Sequence, residues 1–272
     1  VPRPPRFSND LVGAAPWVAA CEWREELGST SDYALDAVRA NDTPLPLLVV
    51  ADRQTAGRGR AGRSWLAGDG ALTFSVALAP SRFGLSADKL PAASLATALA
   101  VCEALEPHLA APALKPRIKW PNDVYLGDRK ACGVLLEAPA ADRLVIGVGL
   151  NANNRSDAAP PELRDACLSV AEAAGREVDT ATLLVGVLAA LGQRLRQLGA
   201  DSSEPIDEAN RRSLLTGRRV TVEHGGERVE GLCHGFAEDG ALRLESPDGP
   251  IRAMLSGTVV AWDAAVAQPS SL

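Results

Sequence analysis

Gly57-Arg58-Gly59-Arg60-Ala61-Gly62-Arg63-Ser64 approaches two familiar nucleotide-binding patterns and fits neither. As a GxGxxG fingerprint it needs a helix directly behind it, with a pyrophosphate on that helix's N-terminus. Here Ser64-Trp65 runs instead into Gly68-Asp69-Gly70 and then the strand-like Leu72-Thr-Phe-Ser-Val-Ala-Leu78. No acidic residue stands about 20 positions on, where a ribose partner belongs. As a P-loop it carries Arg63 in place of lysine, and again no helix follows. A Rossmann or P-loop fold is therefore excluded. What remains is a glycine-rich backbone able to fold closely while guanidinium forks point at an anion. Taken alone, the stretch reads equally well as a solvated basic loop.

The flanks place this loop between strands. Leu45 to Ala51 is a continuous apolar run that predicts a buried strand, with residues 52–70 as the loop. Upstream, Glu22 to Leu27 reads as a strand, and Ser29-Thr30-Ser31 opens a helix through Arg39 with hydroxyls suited to capping. Downstream, Ser86 to Leu109 predicts a long helix with Leu90, Ser94, Ala98, Val101, Cys102 and Leu105 on one stripe. Arg117 to Trp120, Lys130 to Glu137 and Leu144 to Leu150 predict strands. Leu163 to Ala174, Thr182 to Leu198 and Pro205 to Leu215 predict helices. After Gly217 the texture is all β: strands over Arg219–Glu223, Glu227–Ala237, Ala241–Glu245 and Ile251–Val260. Gly225-Gly226, Asp239-Gly240 and Asp248-Gly249 are the turns between them. This is an α+β chain with a small β domain appended. The expected division is an arm over 1–21, a main domain over 22–215, a small β domain over 216–264 and a tail over 265–272.

Composition narrows the chemistry. The chain has 272 residues, 46% apolar and 23% charged, which describes a globular protein. No uninterrupted apolar run reaches the roughly 18 residues a membrane helix needs, so no membrane partner is expected. The net charge of −6 gives no global field for nucleic acid. Arg3 and Arg6 before the apolar stretch from Leu11 to Ala20 imitate a leader, but Pro16 interrupts it, and it reads as a surface arm. Five widely spaced cysteines without a CxxC argue against disulfides and structural zinc, and make a reducing cytoplasm the default. Lysine occurs only at 89, 115, 119 and 130, so a lysine within a motif is informative. Two lie in one neighbourhood. Lys119-Trp120-Pro121-Asn122-Asp123 ends a strand with an amide and a carboxylate side by side, either a plain turn or, with Asp123, an oxygen ligand for Mg²⁺ on a polyphosphate. Asp128-Arg-Lys130 enters the next strand, where Gly133 lets a ligand approach the backbone.

Together these segments resemble the biotin protein ligases. The resemblance is carried by Gly28-Ser29-Thr30, Gln54-Thr-Ala-Gly-Arg-Gly-Arg-Ala-Gly-Arg-Ser-Trp65, Lys119-Trp-Pro-Asn-Asp123, Asp128-Arg-Lys130 with Gly133, and Ile146-Gly-Val-Gly-Leu-Asn151. It covers about residues 22–151, and the β-rich end is similar to the family's C-terminal domain. The resemblance implies a mixed sheet with packed helices, like the catalytic core of class II aminoacyl-tRNA synthetases, plus an SH3-like barrel. It also implies activation of biotin by ATP to biotinyl-5′-AMP and transfer to a lysine of a biotin carboxyl carrier protein or an acyl-CoA carboxylase biotin domain. Biotin would then meet Ser29, Thr30, Ser31, Gln54, Gly57, Arg58, Gly59, Arg60, Lys130 and Gly133. ATP, with Mg²⁺, would meet Arg58, Arg60, Arg63, Trp65, Lys119, Asn122, Asp123, Lys130 and Asn151. Trp65 would cover the adenine, Asp123 would serve the metal, and Lys130, Arg58 and Arg60 would be catalytic. One departure stands out: Ser31 occupies a place where the family usually has asparagine. A lipoate or octanoyl attachment enzyme of the same superfamily is the alternative. No winged helix-turn-helix is readable before Glu22, so DNA binding is not expected. The loop over 57–69 is expected to be loose without ligand, because its arginines repel one another.

Overall fold

The computed structural model describes residues 15–263 except 42, 110, 112, 113 and 248. The expected arm over 1–21, the tail and the Asp248-Gly249 turn thus fall wholly or partly outside the described residues. In chain order, β1 (Ala20–Leu27), α1 (Thr30–Ala40), β2 (Leu47–Gln54) and β3 (Leu72–Leu78) lead to α2 (Leu90–Leu105). Then come β4 (Pro116–Lys119), β5 (Asp123–Leu126), β6 (Arg129–Ala140) and β7 (Arg143–Leu150). Helices α3 (Pro161–Arg164), α4 (Val170–Ala174), α5 (Thr180–Gly199) and α6 (Glu204–Arg211) follow. The chain ends in β8 (Arg219–His224), β9 (Glu227–Phe236), β10 (Leu242–Glu245), β11 (Ile251–Met254) and β12 (Thr258–Trp262).

The first seven strands form one mixed sheet in the order β1-β2-β3-β7-β6-β5-β4, with only the β1–β2 pair parallel. The period of two decides what each face carries. Leu48, Val50, Phe74, Val76, Ile146 and Val148 face α2 and α5 in the main core. Leu47, Val49, Ala77 and Val145 face α1, where Ala34, Leu35 and Val38 cover them. Ser75, Gly147 and Gly149 alternate with the first set and so share the face of α1. That helix starts only at Thr30, and the sheet beyond its N-terminus is left bare. The site lies there.

Helix α2 is less amphipathic than its stripe suggests. Eleven of its sixteen residues are buried, among them Leu95, Leu99 and Leu105. Truncating any of these to alanine costs about 2–5 kcal/mol. Its expected ends are 3₁₀ turns, Ala87–Lys89 and Glu106–His108. The helix expected over Leu163–Ala174 is instead two short ones, because the chain between them pairs with Lys130. The expected strand Ile251–Val260 is likewise two, broken at Leu255–Gly257.

The last five strands form a second sheet, ordered β11-β10-β9-β8-β12. Asn210 of α6 brackets its Phe236, donating to the carbonyl at 3.1 Å and accepting from the amide at 2.6 Å. No helix among the described residues is long and apolar enough to cross a membrane.

Candidate active site

The floor is the bare face of β6 and β7, where Gly133 and Gly149 are register partners. Above it the β2–β3 connection closes into a small hairpin. Arg58 bridges Ser64, the Gly59 amide donates to the Arg63 carbonyl at 2.7 Å, and the Trp65 amide donates to the Gly57 carbonyl at 2.8 Å. This sets the Trp65 indole flat on the glycine floor. A Cβ at Gly149 would fall within contact of Trp65 Cε2, 2.6 Å from Nε1 and 2.8 Å from Cδ2. Two glycines two residues apart in a strand therefore mark a close approach, as in the Gly147–Gly149 spacing.

One end of the cavity is built of hydroxyls. Ser29 caps α1. The Thr30 amide and hydroxyl donate to Gln54 Oε1 at 2.7 and 3.0 Å. Ser75, fully buried on β3, lies 2.8 Å from the Thr30 hydroxyl and 3.1 Å from that of Ser31. Ser31 fits only because β7 carries no side chain at Gly147, where a Cβ would be 2.5 Å from its oxygen.

The other end is charged. Arg58 donates to both carboxylate oxygens of Glu137, at 2.9 and 2.6 Å, and its Nε stands 2.8 Å from Asp32. The Glu137 hydrogen bonds raise its pKa above the ordinary arginine value, against desolvation. Sequence reasoning missed both carboxylates, and Arg58 is not the unneutralised charge expected for a loose loop. Arg60 is more buried, and desolvation pushes its pKa down while Asp123 pulls it up. It donates to Asn122 Oδ1 at 3.4 Å, and Asn122 donates in turn to the Val134 carbonyl at 2.5 Å. Lys130 Nζ stands 2.7 Å from Asp123 Oδ1 and 5.8 Å from the Trp65 ring centroid. The Lys130 backbone is clamped: its amide donates to the Ala166 carbonyl at 2.9 Å, and its carbonyl accepts from Leu168 at 3.0 Å. Asn151 donates to that same carbonyl at 3.3 Å. This strap is why the helix over Leu163–Ala174 breaks.

The cavity is lined by Ser29, Thr30, Ser31, Gln54, Arg58, Gly59, Arg60, Arg63, Trp65, Asn122, Asp123, Lys130 and Gly133, thirteen of the residues expected from sequence. The structure does not bring Gly57, Lys119 or Asn151 onto its wall. Gly57 lies under the Trp65 carbonyl, Lys119 turns towards the second sheet, and Asn151 orients the Lys130 backbone. Its free volume is about 110 Å³, below the 300–1,000 Å³ of a typical ligand pocket, because Trp65 and the arginines fill it. Several buried polar atoms there lack an aligned hydrogen-bond partner: Trp65 Nε1, Arg58 Nε and Asp123 Oδ1, the latter two held only at ion-pair distance. A second, more apolar cavity of about 340 Å³ lies beyond Pro121, and Arg60 lines both. The larger is not the one that gathers the charged groups. Among the described residues no group of three or more His, Cys, Asp or Glu converges, and the carboxylate on the cavity wall is Asp123.

A hydroxyl-and-amide pocket, two arginines and a lysine around an aromatic shelf make a class of site suited to a polar, anionic ligand. The comparisons place that class. Residues 24–151 match the Biotin/lipoate A/B protein ligase family, and residues 215–262 match the Biotin protein ligase C terminal domain. The bifunctional ligase/repressor BirA of Bacillus spizizenii is 32% identical over 84% of this chain and 70% of its own. The biotin–[acetyl-CoA-carboxylase] ligase of Mycobacterium tuberculosis is 30% identical over 89% of this chain and 91% of its own. The solved biotin protein ligase from Aquifex aeolicus in complex with biotin and ATP superposes with a TM-score of 0.76 at 31% identity, covering 91% of this chain and all of that one. The chain belongs to the biotin protein ligase family.

Proposed function

We infer that this chain joins biotin to ATP as biotinyl-5′-AMP and then passes the biotinyl group to a lysine of a biotin carboxyl carrier domain. The observation that carries the reading is one cavity lined by Ser29, Thr30, Ser31 and Gln54 at one end, with Ser75 buried behind them, and by Arg60, Lys130 and Asp123 at the other. Family membership and the Aquifex aeolicus complex support it. In this reading Ser29, Thr30, Ser31 and Gln54 hold the ureido end of biotin, with Gly133 alongside. Trp65 is the aromatic surface against which the adenylate packs.

The first step is attack by a biotin carboxylate oxygen on the α-phosphorus of ATP. A P–O bond forms to the acid, the bond to the leaving pyrophosphate breaks, and no covalent enzyme intermediate is needed. Charge accumulates on the α-phosphate oxygens, and Lys130 and Arg60 are the cations that offset it, with Arg58 joining them by exchanging Glu137 and Asp32 for the phosphate. In the second step the neutral amine of the carrier lysine attacks the acyl carbon. AMP leaves and the nitrogen sheds its proton, giving an amide. Asp123, on the cavity wall, would be the carboxylate to hold Mg²⁺ on the ATP phosphates, where the ion would supply charge neutralisation.

The first sheet with its helices is read as a class II aminoacyl-tRNA synthetase-like core over 22–215, and the second as an SH3-like barrel over 216–264. The test is acid selectivity in ATP–pyrophosphate exchange. Biotin should support exchange, and lipoate and octanoate should not. Exchange driven better by lipoate or octanoate would overturn the reading.

A further inference from the structure

The Lys119–Asp123 stretch faces two ways. Asn122 and Asp123 reach into the cavity, against Arg60 and Lys130. Lys119 and Trp120 reach away from it, into the second sheet. Lys119 Nζ lies 4.5 Å from the centroid of the Trp262 ring and 5.7 Å from that of Tyr125. Those two rings meet edge to face at 6.3 Å. The ammonium also donates to the Val259 carbonyl at 3.2 Å. Trp120 is 2% exposed and donates through Nε1 to the Gly240 carbonyl at 3.0 Å. Gly240, at φ +86°, packs so closely on α2 that a Cβ there would be 2.7 Å from the Ala92 amide nitrogen. Between the two halves stands Pro121, whose carbonyl accepts from Ser94 at 3.1 Å. The motif is thus a short rigid beam, its outer end fixed by the second sheet and its inner end carrying two site residues.

We propose that Lys119 is a positioning residue: by clamping Trp262 and Val259 of the second sheet, it sets Asn122 and Asp123 against Arg60 and Lys130 for the adenylation step. This rests on the ligase reading and adds a role for the second sheet, which among the described residues puts no side chain on the cavity wall. It also explains why a lysine that reads as an ATP contact in sequence lies off the cavity wall. A partly buried ammonium with one oxygen acceptor and two aromatic faces is held chiefly by those faces. Arginine keeps the charge and also lies over aromatic faces, so Lys119→Arg retains the cation–π contact while changing the shape of the head group.

The experiment is steady-state ATP–pyrophosphate exchange on the full chain, with the KM for ATP and for biotin measured separately and thermal melts run alongside. Lys119→Met keeps the stem and removes the charge. It should raise the KM for ATP about tenfold and leave that for biotin unchanged. Trp262→Leu, which touches no expected ligand, should give the same selective defect. The double variant should be no worse than the worse single, since both break one contact. Lys119→Arg should restore most of the loss. If Trp262→Leu keeps the wild-type KM for ATP while Lys119→Met does not, Lys119 touches ATP directly and the proposal falls. Additive losses, or unchanged KM values in both variants, overturn it equally. A wild-type chain without biotin-dependent exchange would defeat the ligase reading itself, an outcome the same assay distinguishes.

Discussion

Gly149→Ala places one methyl group where the Trp65 indole lies. The new Cβ would stand 2.6 Å from Trp65 Nε1 and 2.8 Å from Cδ2, distances that real Cβ atoms do not show. The strand has no objection of its own, since alanine is favoured over glycine inside a strand by about 0.5–1 kcal/mol. The cost therefore falls on the hairpin that carries Trp65, and overpacking of this kind costs about 1–3 kcal/mol. Charged wholly to the closed, ligand-holding state, that is a loss of roughly 5- to 150-fold in affinity. Gly133→Ala, the register partner, is the control. Its Cβ would meet the far end of the Lys130 side chain at 3.3 Å and Trp65 Cζ3 at 3.4 Å, which small movements relieve. The measurement is the KM for ATP in pyrophosphate exchange in both variants, because Trp65 is read as meeting the adenylate and Gly133 as meeting biotin. Gly149→Ala should lose far more than Gly133→Ala. Adding Gly149→Ala to Trp65→Ala should cost little further, because the clashing ring is gone. A wild-type KM for ATP in Gly149→Ala, or losses that add in the double variant, would refute the view of Trp65 as a shelf resting on the glycine floor.

Two further outcomes are expected. Lys130→Ala should cut adenylate formation by roughly a hundredfold or more, as losing one electrostatic stabiliser does, and near-normal exchange would remove Lys130 from its role. Glu172 closes a capping box with Ser169 at the start of α4, next to the strap that clamps Lys130. Partial burial opposes its charge, but hydrogen bonds from the amides and hydroxyls of Ser169 and Ser156 outweigh this and hold its carboxyl below the ordinary value. A depressed carboxyl contributes stability that is present above its unfolded pKa and is lost as pH falls through the folded one. Glu172→Ala should therefore lower stability by about 1 kcal/mol at neutral pH, and by progressively less below about pH 4, in denaturant melts across that range. An equal deficit at every pH would contradict that assignment.

Much of the candidate site is legible in the sequence because its residues lie in local motifs. Of the sixteen residues expected there, from Ser29 to Asn151, thirteen line the cavity, and β3 could be read to the residue from its own alternation. What was not legible came from long-range partners. Glu137 lies 79 residues from Arg58 in the chain, and nothing local to either announces the pair. Ser75 looks like any small residue in a strand until α1 brings Thr30 and Ser31 over it. β5 escaped notice because Pro121, Asn122 and Asp123 read as turn chemistry, yet Asp123 already pairs with Gly133 across the sheet. The Leu163–Ala174 helix failed for the opposite reason: its pattern was sound, but pairing with Lys130 outweighed local propensity.

The account's central claim is that one cavity makes biotinyl-5′-AMP and releases its acyl group to a carrier lysine. The direct measurement is two-stage, on the purified chain. It is first incubated with radiolabelled biotin and Mg-ATP, and the bound product is identified. A biotin carboxyl carrier domain is then added without further ATP. The account predicts a biotin-dependent adenylate that disappears as the carrier gains one label on a single lysine, with Lys130→Ala blocked at the first stage. Carrier labelling that proceeds without ATP-dependent adenylate, or an adenylate that never passes to the carrier lysine, would contradict it.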